Sequence, residues 1–118
     1  MENILTTKKE EAKIKAGELS KQFNCVVHPI VFVSETDPND VIIGFVKEPP
    51  RAVKLQMMDK ALTSAVTAAS NVLDAYLIRE ASDERIYSEN PANDSYYIGA
   101  SMVVYEMVKM AVDQFKKK

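Results

Sequence analysis

The chain has 118 residues, of which 47% are hydrophobic and 27% charged, with a formal net charge of −2. That is the balance of one ordinary globular domain, long enough to bury roughly two-thirds of the surface its unfolded chain exposes, and it excludes a fibrous or largely disordered chain. The near-neutral charge excludes a field that would gather nucleic acid or an anionic membrane surface, and no run approaches the ~18 apolar residues of a membrane span.

The expected fold class is α+β: an N-terminal helix, a β-hairpin, then two to three helices ending in a strongly apolar C-terminal helix. All of it forms a single domain over 1–118, with 1–4 and 116–118 frayed. The start, Met1 to Lys9, lacks the apolar run of a secretory signal. Cys25 is the one cysteine and has no internal disulfide partner. Together these features suit a reducing cytoplasm.

A first helix is predicted from about Thr6 to Phe23. Thr7 and Glu10 have capping-box spacing, and Leu5, Ala12, Ala16, Leu19 and Phe23 share one face. The stripe is thin, so this helix should lie on the surface, weakened by Gly17. Cys25 to Val33 and Val41 to Val46 are rich in β-branched and aromatic residues, and Glu35 to Asp40 between them is dense in turn formers. A hairpin follows. Pro29 has no amide hydrogen, so its strand needs an unpaired edge. Val41, Ile43 and Phe45 on one face and Ile42 and Val46 on the other are apolar, so the hairpin must be covered on both sides.

Glu48-Pro49-Pro50-Arg51 ends the second strand and opens helical spacing that runs from Val53 to Leu77. Cap-type residues crowd Ser64 to Asn71, so one long helix and two helices with a break there are both consistent with the spacing, and the crowding favours two. Residues 79–93 are polar and aperiodic, a loop long enough to suggest a function or local mobility. The last helix runs from Asp94 or Ser95 to Phe115. Glu106, Lys109 and Asp113 form one narrow polar strip on it, and most of the remaining circumference is apolar. Such a helix must be buried on more than one side, as a central helix or at a subunit interface.

No catalytic, cofactor-binding or metal-ligating residues emerge. Cys25 and His28 lie three apart in a predicted strand and so point to opposite faces, which separates a thiol from its only imidazole. His28 is the single histidine, and no metal-ligand spacing occurs. Asp83, Glu84 and Glu89 are loop carboxylates with nothing to mark one as buried or coupled. Three separated glycines cannot build a phosphate cradle, and the lysine clusters are mixed with acids or terminal. Met57, Met58, Met102, Met107 and Met110 all fall on predicted helices. They either fill the core or line an adaptable surface for an irregular apolar partner. The two roles are compatible.

The stretch Phe45-Val46-Lys47-Glu48-Pro49-Pro50-Arg51, a hairpin end running through prolines into a helix, resembles the small tail assembly chaperones of tailed bacteriophages. The order of parts agrees: an alanine-rich helix over Ala61 to Ala69, then Val72-Leu73-Asp74-Ala75-Tyr76-Leu77, an acidic loop at Asp83-Glu84-Arg85, and a closing apolar helix. Such proteins often carry tryptophan and glycine where this chain has Tyr76-Leu77-Ile78-Arg79-Glu80. The resemblance implies a non-enzymatic protein that coats the apolar tape-measure protein in the cytoplasm of the infected host. Its partner would be a client with apolar helical segments, it would itself form a homo-oligomer, and neither nucleic acid nor membrane would be bound. The excess apolar helix surface nominates Met57, Met58, Leu62, Met102, Val103, Met107 and Met110 as the client-holding residues. A self-assembling virion or structural subunit, a small regulatory binding module, and an enzyme with a site shared between subunits are the competing readings.

Overall fold

The structure is a computed structural model and describes the backbone of residues 2–116. The fold is α+β, in the order expected: α1 (Glu2–Phe23), β1 (Val27–Val33), β2 (Val41–Lys47), α2 (Arg51–Tyr76), a short α3 (Glu84–Tyr87) and α4 (Asp94–Lys116). The fraying expected of Met1, Lys117 and Lys118 lies outside the described residues.

Strands β1 and β2 pair antiparallel, with Val27 opposite Lys47, Ile30 opposite Gly44 and Val33 opposite Val41. Asp37 shapes the connection: its Oδ1 accepts from the Asn39 amide at 2.9 Å, and the Ser34 amide donates to the Asp40 carbonyl at 2.9 Å. Because side chains alternate across a strand, the hairpin has two apolar faces, and each is covered. Ile30, Ile42 and Val46 pack with Ala69, Val72 and Leu73 of α2 and with Ala100, Val104 and Val108 of α4. On the reverse side, Val27 and Phe45 pack with Ala12, Ala16 and Leu19 of α1. The hairpin is therefore the middle of three layers.

Helix α1 begins at Glu2, ahead of the start read at Thr6, so Thr7 and Glu10 stand inside the helix and not at its cap. Nothing between Glu2 and Thr6 breaks a helix, and a side-chain cap is dispensable where continuing the backbone is sterically free. It ends at Asn24, whose φ of 54° is left-handed. The Cys25 amide then donates back to the Ser20 carbonyl at 3.2 Å, the pattern of a Schellman cap. Lys47 Nζ lies 4.1 Å from the centre of the Phe23 ring and ties this end to β2.

Residues 79–93, read as a bare polar loop, hold α3 and single 3-10 turns at Arg79–Ala81 and Pro91–Asn93. They also finish the sheet. The Ile78 amide donates to the Phe45 carbonyl at 2.8 Å, and the Asp83 amide to the Ile43 carbonyl at 2.9 Å. Between them Ser82 Oγ accepts from the Phe45 amide at 3.0 Å and donates to the Ile78 carbonyl at 2.7 Å. The outer edge of β2 is thereby closed against stray pairing. Ile86 turns inward from α3 and is fully buried over Gly44, where a Cβ would come within 2.8 Å of Ile86 Cδ1.

Helix α2 breaks at Ser64, with φ −153° and ψ 76°. Val53, Gln56, Met57 and Lys60 share one cleft with Ala68, Asn71, Val72, Ala75 and Tyr76. A straight helix would hold Val53 and Tyr76 roughly 34 Å apart, so the chain folds back at Ser64 and the two halves lie side by side. The two-helix reading of this segment is correct. Ser64 Oγ donates to Thr67 Oγ1 at 2.8 Å in the first turn of the second half.

Helix α4 buries Ala100, Ser101, Val104 and Val108 between α2 and the hairpin. Gly99 lets it approach β1: a Cβ there would lie 2.5 Å from Phe32 Cε2. Burial is one-sided, however, and Ile98, Met102 and Met110 remain exposed on the opposite side.

Candidate functional site

The bend in α2 and the end of β2 leave a groove beside α4. Its volume is about 300 Å³, and it is lined by Met57 and Met58 of α2, Met107 of α4, and the core side chains Val46, Val72, Val104 and Val108. Pro49, His28, Glu48 and Lys54 line the same groove. Pro50 stands as the N-cap of α2 without a side-chain cap. Its carbonyl accepts from the Lys54 amide at 2.9 Å, the first hydrogen bond of the helix.

The polar end is a small ion cluster. Lys54 Nζ donates to Glu48 Oε2 at 2.9 Å, and His28 Nε2 lies 3.1 Å from Glu48 Oε1. The Lys54 hydrogen bond, with a smaller contribution from His28, holds the Glu48 carboxyl below its ordinary 4.5 despite partial burial. What results is a mouth of charged groups over a floor of thioether and branched aliphatic carbon. The floor is built of flexible and branched apolar side chains, and the polar end holds one imidazole, one carboxylate and one ammonium in contact.

Of the residues nominated from the sequence, Met57, Met58 and Met107 meet in this groove. Val103 is half-buried and packs against the core beneath α4. Leu62, 63% exposed, Met102, 45% exposed, and Met110, 61% exposed, face solvent and do not line it. Helical spacing alone places Met102 and Met107 on different faces of α4, since five residues turn the helix by about 140°. Sequence reasoning missed His28, Glu48 and Lys54. Glu48 and Lys54 flank the prolines that start α2, a signal that a helix there could close back on the strand end. His28 had no local signal.

Other clusters are built differently. Arg85 Nη1 and Nη2 donate to Asp40 at 2.7 and 3.1 Å, while Nε and Nη2 donate to Asp83 at 3.0 and 2.8 Å. The guanidinium also sits 4.6 Å from the centre of the Tyr96 ring. Its hydrogen bonds hold the Asp40 and Asp83 carboxyls below their ordinary 3.8 and raise the pKa of Arg85. This clasp joins the hairpin loop to α3 and α4. A second pocket, about 310 Å³, has Leu73, Leu77 and Ile86 at its floor and Asp74, Arg79, Glu89 and Tyr97 among its walls. There Tyr97 Oη donates to Asp74 Oδ1 at 2.9 Å; burial, and then Asp74, push its phenol up.

Cys25 packs on the α1 side of the hairpin and His28 on the α4 side. Among the described residues no three His, Cys, Asp or Glu side chains gather as metal ligands, and no helix is long and apolar enough to cross a membrane. No family model, no curated protein and no solved structure matches this chain.

Proposed function

We propose that this domain is a non-enzymatic protein-binding module that holds an apolar helical segment of a client in the groove between α2 and α4. The observation that carries the reading is the meeting of Met57, Met58 and Met107 from two helices in one open apolar groove with a charged mouth. Thioethers suit a client whose apolar side chains vary along its length, and an amphipathic helix presenting anchors at i, i+3, i+4 and i+7 is the matching shape. With the likeness of Phe45 to Arg51 to tail assembly chaperones, the proposed client is the tape-measure protein of a tailed phage, held in the host cytoplasm. Several copies along one client would hold it by avidity without tight individual affinity.

The test uses a fluorescently labelled 20-residue amphipathic peptide with leucines at those anchor spacings. Binding is followed by anisotropy. Met58→Asp and Met107→Asp should each weaken binding at least tenfold while the circular dichroism of the chain is kept. Met102→Asp, outside the groove, should leave binding unchanged. Equal binding by all three variants would refute the assignment.

The second reading is a self-assembling structural subunit, favoured by the exposed face of α4 with Ile98, Met102 and Met110. On that reading light scattering finds one oligomer that persists on dilution, and Met110→Asp dissociates it. A monomer, or a mixture shifting with dilution, goes against it.

A further inference from the structure

The hairpin has one closed edge and one open edge. Along an antiparallel strand the backbone groups of successive residues point alternately toward the partner and away from it. The Glu48 amide donates to the Val26 carbonyl and the Ser34 amide to the Asp40 carbonyl, so even-numbered residues of β1 turn their groups to β2. Val27, Pro29, Val31 and Val33 therefore form the outer edge. The first two have no free donor, because the Val27 amide donates to Ser20 Oγ at 3.0 Å and Pro29 has no amide hydrogen. Among the described residues nothing accepts from the Val31 or Val33 amide, and nothing donates to the carbonyls of these four. Orphan N–H groups are rare in protein interiors, and Val31 and Val33 are only half-buried, so this edge faces water. The matching positions of β2 are engaged: Ile43 and Phe45 bond to Ile78, Ser82 and Asp83. What remains on β1 is a row of donors and acceptors roughly 6.6 Å apart, the repeat of an extended chain.

Two helices flank the edge, and their chemistry differs. Helix α1 lies over β1 on one face of the hairpin and α4 lies over it on the other. Ser20, through its bond to the outward Val27 amide, marks the flank of α1 beside the edge. At 100° per residue, Lys13 and Lys9 fall within about 20° of that flank. Both are exposed, and neither is ion-paired to a described residue. On α4, Gly99 touches Phe32 of β1 and so marks the flank turned away from α2. Val103, Glu106 and Met110 follow at i+4, i+7 and i+11, within about 40° of it. The slot beside β1 thus has a basic wall and a mainly apolar one. A second copy of this chain does not fit there. Paired edges bring two strands to about 4.8 Å, which would press α1 on α1 and α4 on α4, where packed helices need about 8–10 Å between axes.

We infer that the outer edge of β1 takes up an extended segment of a partner protein as an added strand, its acidic side chains toward Lys9 and Lys13 and its apolar ones toward Val103 and Met110. The backbone groups of residues 27–33 supply the attachment, and the two walls select which face of the segment turns which way. Side chains alternate along a strand, so the matching sequence alternates acidic and apolar residues. This surface is separate from the groove between α2 and α4 and does not depend on it.

The probe is a fluorescein-labelled ten-residue peptide of alternating isoleucine and glutamate, added to the intact chain. Its binding is followed by anisotropy, and amide exchange is followed residue by residue by NMR. In the free chain the Val31 and Val33 amides should exchange roughly tenfold or more faster than those of Ile30 and Phe32, which are bonded to β2. The peptide should slow both. A peptide with lysine in place of glutamate should bind roughly tenfold more weakly, and Lys9→Glu with Lys13→Glu should reverse that preference. Val33→Pro alters an amide that gives nothing to the β1–β2 ladder, as Pro29 already does, and should weaken binding roughly fivefold. Slow exchange at Val31 and Val33 in the free chain would overturn the open edge. Slowing that appears without peptide as the protein is concentrated would make a second copy the occupant and overturn the assignment of the partner. No binding, or binding that leaves both amides in fast exchange, would overturn the docking site.

Discussion

Ile86→Ala gives the sharpest test of the fold, because Ile86 lies in a segment whose composition marks it as solvent-exposed loop and yet is fully buried over Gly44. Shortening it to alanine removes three carbon groups, worth about 2.4 kcal/mol in transfer at ~0.8 kcal/mol each. The space left behind adds a cavity cost of up to about 2 kcal/mol if the surroundings hold still. Ile86 sits between β2, α2 and α4, all of which are anchored elsewhere, so little collapse is expected. A net loss of about 3–4 kcal/mol follows. A domain of this length holds roughly 6–18 kcal/mol in total, so between about a sixth and two-thirds of its stability rests on this side chain. The assay is urea unfolding followed by circular dichroism at 222 nm, with a midpoint lowered by roughly 1.5–2 M. Ile98→Ala, exposed on α4, is the control and should fall within about 0.5 kcal/mol of the parent. A loss below about 1 kcal/mol for Ile86→Ala would refute the claim that residues 79–93 complete the core, and would make them a detachable loop.

Gly17→Ala should stabilise the chain by up to about 1 kcal/mol in the same unfolding assay, since a Cβ there meets nothing within 4 Å and alanine is the better helix former. Arg85→Gln should lower the thermal midpoint and speed amide exchange in both 34–40 and 82–87, because one guanidinium joins Asp40, Asp83 and Tyr96; exchange raised in only one of the two segments would contradict the clasp. Stability should also fall in acid. The carboxyls of Glu48, Asp40 and Asp83 all titrate below their ordinary values in the folded chain. Their contribution is therefore complete above those ordinary values, 4.5 for glutamate and 3.8 for aspartate, and is lost as pH falls through the lower folded values. Urea midpoints should be level from pH 7 to about 5 and decline below that, and the decline should be shallower in the Asp83→Asn variant. A profile that keeps falling between pH 7 and 5 would assign the dependence to other groups.

The element order was legible in the chain because each cue is local. Helical spacing, β-branched runs and the Glu35 to Asp40 turn report on neighbours a few residues away. The break in α2 belongs to this class, since Ser64 and Thr67 compete with the helix through their own hydroxyls. The need for cover on both faces of the hairpin was also legible, because Ile42, Phe45 and Val46 leave no polar face.

Tertiary structure decided what is set by distance in space. Alternation told that the hairpin needed cover on both faces, but only packing showed that Ala12 and Ala16 bring α1 onto Val27 and Phe45. The polar segment after α2 became part of the sheet because β2 had an edge to close, a demand of strands made elsewhere in the chain and invisible within residues 79–93. The nominated methionines were sorted in the same way. Met57, Met58 and Met107 share the groove, while Met102 and Met110 are on the far side of α4. Composition counted thioethers correctly, and the fold-back at Ser64, which lays the two halves of α2 beside each other, determined which of them could meet.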